Sequence, residues 1–330
     1  MSSRMIQIVI DDRVRLMSAA LSLTNWPARE QERKRHRAHV HARNTAKRMS
    51  EFTVLPVLDT LQTLLDQNTP VEALYTYALN LSWPDLTLNT PLPWAPLHWN
   101  EQFGDFYVRA GLEEWWAEQE EVWQLAYEQT QRAIGETDFY GFFEPFVGEL
   151  SEQLTLMPNI SYPSDCEIGV RLENELFCVV PPRIAWGDNE PWPFDDDPAH
   201  VYRGALAQYG RLVMVSYLRQ KAAEVAPLAN APLPVGENFR KTHPTWGDQF
   251  TELFVAGAVA IFLEQTIGPH EAKAYILMEN KVHGVTILPG VVSVLKRYLA
   301  EQQEGRYEQL SDYLPNFSKH LRVAKRVISL

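Results

Sequence analysis

No His-Glu-x-x-His segment occurs in this sequence, no apolar run approaches the length of a membrane span, and 330 residues hold only two cysteines. Each absence excludes something. The longest uninterrupted apolar run, residues 253–263, has eleven members, against the roughly 18 that a membrane-crossing helix needs. The apolar stretch at residues 6–10 is too short for the core of a secretion signal, so the expectation is a cytoplasmic protein without a membrane partner. Cys166 and Cys178 fall on opposite faces of the hairpin described below, and a disulfide between them would break its register; both are expected as reduced thiols. Basic charge is scarce as well. With 30 Lys and Arg against 42 Asp and Glu, the formal net charge of -12 argues against a general nucleic-acid or anionic-surface binder.

What the chain does contain is core material, 45% hydrophobic and 11% aromatic, enough for one continuous compact unit. Patterning predicts an α+β fold in two regions. Residues 1–160 form a mainly helical region with a short strand at 6–10, a helix capped by Asp11 and Asp12, and two helical segments within 52–81 separated by a break at 66–70. A Pro- and Trp-rich stretch, 82–100, is expected to wrap a core, because its tryptophans need burial. Helices then run with loops from about 103 to 156.

Residues 161–330 begin with a β-hairpin turning at Glu173 and Asn174, which sets Gly169 opposite Cys178. Its second strand is apolar on both faces and reads as the interior one; its first, with Glu167 and Arg171 on one side, reads as an edge that a peptide can extend. Asp197-Pro198 starts a helix reaching about 224. Thr245 and Asp248 form a capping box for the helix holding the apolar run, and further helices are expected at 291–303 and 317–328. His270 reads as a loop or helix-start residue, and His283 as a turn residue.

Glu252 opens that apolar run. A carboxylate entering a buried helix must be paired, protonated or bound to a metal. The metal reading has a known form, in which two histidines on one helix are joined by a glutamate from a later one. The bland reading is a carboxylate in a first helical turn, stabilised by the dipole and a nearby cation.

The order of elements, with Trp246, Glu252, Phe254, Val255, Gly284 and Tyr298, resembles a bacterial zincin-like family of predicted metallopeptidases of the gluzincin type, and the likeness is most specific over 246–298. The resemblance implies a degenerate zincin-like core with a β-hairpin and long helices, and makes Glu252 the counterpart of the third zinc ligand. The chain departs where chemistry would need it. The helix expected to carry the histidines has only His200, with Gly204 four residues on, and no general-base glutamate.

The expectation is therefore a pseudoenzyme with no cofactor, serving as a protein- or peptide-binding or assembly component. Its binding residues would be Glu167, Arg171, Arg203, Tyr209, Trp246 and Glu252, in a cleft bounded by the hairpin, the 198–224 helix and Glu252. Without a metal, Glu252 should pair with Arg203, Tyr209 or Arg211. The competing reading is a divergent zinc hydrolase recruiting Glu252 with His200 or His243 and a carboxylate from residues 195–197. A separate basic stretch, 29–48, carries eight Arg or Lys with His36, His39 and His41; it reads as a solvated helix face, with contact to nucleic acid or an acidic partner as its functional alternative.

Overall fold

A computed structural model of the chain describes residues 4–33, 40–52, 54–161, 167–183 and 192–328. The fold is α+β, mostly helical with short strands. Contacts group the chain into two units, each drawing on both halves of the sequence: a sheet unit, Ile6–Gly135 with Gln153–Val201, and a helical unit, Glu136–Glu152 and Tyr202–Leu330 with Met1–Met5. Among the described residues no helix is long and apolar enough to cross a membrane.

Among the described residues the sheet unit holds four strands, β1 (Gln7–Ile8), β2 (Gln153–Pro158), β3 (Ile168–Leu172) and β4 (Glu175–Val180). Their spatial order is β1-β2-β4-β3, with β1, β2 and β4 parallel and β3 antiparallel at one edge. Gly169 lies opposite Cys178, and Glu173 makes the turn with φ of +50°. Burial in the interior strand pushes the Cys178 thiol well up; Cys166 lies outside the described residues.

Strand β2 corrects the expectation of helix and loop up to residue 156. Its residues Leu154 to Pro158 are all buried; the helix Glu120–Ile134 packs on it and parallel strands flank it on both edges. A strand covered on both sides carries no polar alternation to read.

Among the described residues, eight α-helices accompany the sheet: α1 (Asp12–Ser22), α2 (Trp26–Arg33), α3 (Val40–Arg48), α4 (Pro56–Asp66), α5 (Val71–Leu79), α6 (Trp99–Arg109), α7 (Leu112–Glu118) and α8 (Glu120–Ile134). The Asp11 carboxylate accepts from the backbone N–H groups of Arg13 and Val14, capping α1, which satisfies donors that a helix start leaves open. Helices α1 and α5 pack together, and α5 also covers β3. The 82–100 stretch wraps this core unevenly: Trp99 is fully buried at the head of α6, whereas Trp94 keeps 39% of its surface exposed. Of the basic stretch, residues 34–39 with His36 and His39 lie outside the described residues.

The helical unit contains α9 (Phe139–Val147), α10 (Pro198–Gln220), α11 (Ala222–Val225), α12 (Glu237–Thr242), α13 (Trp246–Thr266), α14 (Pro269–His283), α15 (Leu288–Gln303) and α16 (Leu310–Ile328). The first turn of α10 is counted with the sheet unit. Helix α13 is the central element, buried from Leu253 to Leu263 and packed on α14 and α15. The capping box forms as the sequence requires, with Thr245 Oγ1 accepting from Asp248 N and Asp248 Oδ2 from Thr245 N.

Gly257 fixes how closely α13 meets α15. A Cβ there would stand 2.7 Å from Leu295 Cδ1 and 2.9 Å from Val291 Cγ1, inside van der Waals contact. A second layer is aromatic: Phe139 and Phe142 meet Phe262, while Phe146 lies against Phe254 and Tyr298. Helix α14 runs from just before His270 to His283, where Gly284 ends it with φ of +67°. His283 is thus the last helical residue.

Candidate functional site

Within the helical unit, α10, α12, α13 and α14 enclose a pocket of about 450 Å³ in the space available to small molecules. Glu252 reaches it as the seventh residue of α13, in the second turn where a first-turn carboxylate was expected, on the side left open by the buried run. Its carboxylate is held by Arg211 of α10, whose Nε donates to Oε1 at 2.7 Å and Nη2 to Oε2 at 2.9 Å. The remaining Nη1 donates to Gln208 Oε1 at 3.1 Å. This fork-on-fork geometry is the strong form of a charge-assisted pair. Of the three partners named from sequence, Arg211 is the one in contact.

The pair is not sealed. The Glu252 side chain keeps 23% of its surface and Arg211 38%, so water screens it and its contribution falls below that of a fully buried pair. Around it stand Asn238, Thr242 and His243 on or beside α12, and Tyr275, Glu279 and His283 on α14. The His243 ring lies 4.6 Å from that of Phe239. Burial pushes the Glu279 carboxyl above its ordinary value; the charge of Glu252 adds to this, against lowering by His283, the Tyr275 hydroxyl and Arg203.

The residues singled out from sequence fall in several places. Glu252 and His243 line the pocket, and Arg203 lies on the same helix as Arg211, 3.7 Å from Glu271. Tyr209 is fully buried edge-on to Phe139, and Trp246 is buried and stacked on Phe250 at 5.1 Å. Neither contributes to the pocket wall. Glu167 and Arg171 belong to the sheet unit, at and before β3. His200 also belongs to the sheet unit, where its Nε2 is 2.9 Å from the Pro181 carbonyl oxygen.

The site residues that sequence reasoning passed over include Ala207, Asn238, Thr242, Tyr275 and Glu279. Glu279 and His283 are four apart, which puts them on one face of a helix, but that signal needs α14 to be recognised first. Among the described residues no group of three or more His, Cys, Asp or Glu is arranged to hold a metal ion. The donors around Glu252 do not fit zinc: both carboxylate oxygens already accept from a guanidinium, whose charge repels a second cation at that point. No family model, no curated protein and no solved structure matches the chain.

Proposed function

We propose that this chain is a zincin-like protein without hydrolytic zinc chemistry, and that the pocket around Glu252 binds a segment of a protein or peptide partner. The observation that carries the reading is the hold of Arg211 on Glu252. In a helix-borne zinc site the third-ligand glutamate faces two positions four apart on the ligand helix, with the general base beside the first. Here the residue facing Glu252 is Arg211, the one four earlier is Ala207, which lines the same pocket, and the one between them at the base position is Gln208. On this reading the frame is 207–211, nearly two helical turns beyond the His200 and Gly204 positions considered from the sequence. A guanidinium supplies the positive charge that a metal would otherwise bring to the carboxylate.

The pocket offers what a peptide needs. Phe239, Val255 and Val285 give apolar walls, and Asn238, Thr242 and His243 give hydrogen-bonding groups.

Rebuilding the frame tests the reading directly. The triple variant Ala207→His, Gln208→Glu, Arg211→His should take up about one zinc per chain by elemental analysis, and lose it on Glu252→Ala. A folded triple variant that binds no zinc would show that α10 and α13 are not related as a zincin requires. Binding is tested with a peptide array: Ala207→Trp should abolish retained signal, while charge reversal at Arg33, Lys34, Arg35 and Arg37 should change it modestly. The reverse pattern would move the binding surface to the basic stretch.

A further inference from the structure

The sheet unit carries a second pocket, independent of the first. About 460 Å³ in volume, it lies where the chain leaves β1 at Ile10 and enters α1, and it is walled by Trp83, Tyr107, Trp116 and Trp123. Three features there point to a ligand, and each constrains it differently.

The first is Arg15. Its guanidinium stands between two indole rings, with Cζ 4.3 Å from the Trp116 centroid and 4.5 Å from that of Trp123. Only 9% of the residue is exposed. Nη1 donates to Asp12 Oδ1 at 2.9 Å, but Nε and Nη2 are buried with no hydrogen-bond partner among the described residues. Those two nitrogens form the edge that grips a carboxylate with two parallel bonds, and leaving such donors unpaired is costly.

The second is a pair of carboxylates. Glu113 and Glu120 line the same pocket, both exposed, and neither has an ion-pair partner among the described residues. The third is the half-buried pair Trp83 and Tyr107, packed edge to face at 5.2 Å, whose remaining surface presents aromatic faces that attract cations of spread charge.

A simple anion would meet Glu113 and Glu120, and a simple cation would meet Arg15. We propose that this pocket binds a small zwitterion of the betaine type, its carboxylate on the Nε and Nη2 edge of Arg15 and its quaternary ammonium against Trp83 and Tyr107, beside Glu113 and Glu120. Both nitrogens are covered, so entry requires a residue of the aromatic wall to shift, and the three tryptophans of that wall make fluorescence a reporter.

Glycine betaine is the probe, titrated into the full chain by fluorescence and calorimetry. Saturable binding is expected, at least about tenfold tighter than that of choline or acetate, a margin of about 1.4 kcal/mol. Glu113→Gln with Glu120→Gln removes only exposed charges and should weaken betaine about tenfold while the fold, followed by circular dichroism, is unchanged. Choline binding as tightly as betaine would overturn the role of Arg15. A double variant with parental affinity would overturn the role of the carboxylates. Absence of any saturable betaine signal to about 10 mM, a binding free energy of only about 2.7 kcal/mol, would overturn the site.

Discussion

Arg211 in the helical unit and Arg15 in the sheet unit put the same side chain into opposite surroundings. Arg211 is satisfied by oxygen: two bonds to Glu252 and one to Gln208, in a pocket that water reaches. Arg15 is satisfied by ring faces, with one carboxylate and two unpaired nitrogens, and burial lowers its pKa from the usual guanidinium value. The difference shows how a guanidinium can serve two ends. Fully bonded, it neutralises a carboxylate and fixes the spacing of two helices. Stacked, it fills aromatic volume and keeps two of its three nitrogens unpaired.

The comparison rests first on the helices behind Arg211 being held at one distance. The largest expected effect therefore comes from Gly257→Val, which forces a branched side chain against Leu295 and Val291. Overpacking of this kind should cost about 3 kcal/mol, measured as a lower denaturation midpoint in urea. A variant with parental stability would mean that α13 and α15 slide freely, and that the Arg211 geometry owes little to them.

Arg15 is tested next by Arg15→Ala, which removes a cation from two indoles and opens a void between them. The loss should be about 2 to 3 kcal/mol. Arg15→Met, which keeps the volume and discards both the charge and the unpaired donors, should restore a large part of it. If Met is as damaging as Ala, the charge matters more than the stacking volume, and the contrast with Arg211 narrows.

For the first pair, Glu252→Gln keeps the shape and removes the charge. Because both partners are partly exposed, the cost should be about 1 kcal/mol, read from the thermal midpoint. A loss several times larger would place the pair in the fully desolvated class and undo the distinction drawn here.

Sequence pattern revealed the fold where local chemistry marks the start or turn of an element, and failed where no such mark is present. Helix α1, the capping box of α13 and the register of the hairpin were legible because each depends on local chemistry: an Asp or Thr at a helix start, a period of two, a turn at Glu173. Strand β2 was illegible because its partners β1 and β4 are distant along the chain and no tight turn announces it, whereas the equally buried β4 follows such a turn. Helix α14 was obscured because Leu277, Met278 and Val282 are exposed and only Ala272 and Tyr275 mark its buried face. The site divided in the same way. That Glu252 needed a partner followed from its entry into an apolar helix, and the choice of Arg211 over Arg203 required the relative rotation of α10 and α13, which no single helix encodes. The stacking of Arg15 joins α1 to α7 and α8, about a hundred residues apart along the chain, and left no trace in local spacing.

Glu279 supplies the smallest and last test, because it shares a pocket with the Arg211 pair and is partly exposed. Burial raises its pKa in the folded chain above the ordinary 4.5, so over the interval between the two values the folded state binds more protons than the unfolded one. By linkage, this group favours folding below pH 4.5 and loses that advantage as pH rises through the raised value. Glu279→Gln cannot ionise and should lack this slope. Unfolding in urea across pH 4 to 8 should therefore show the variant gaining on the parent as pH rises, with Glu252→Gln reducing the gain, since the Glu252 charge contributes to the shift. Parallel curves for parent and Glu279→Gln would mean that the carboxylate is as well solvated as any at the surface, and that Arg211 and Glu252 form the only electrostatically distinctive pair in the pocket.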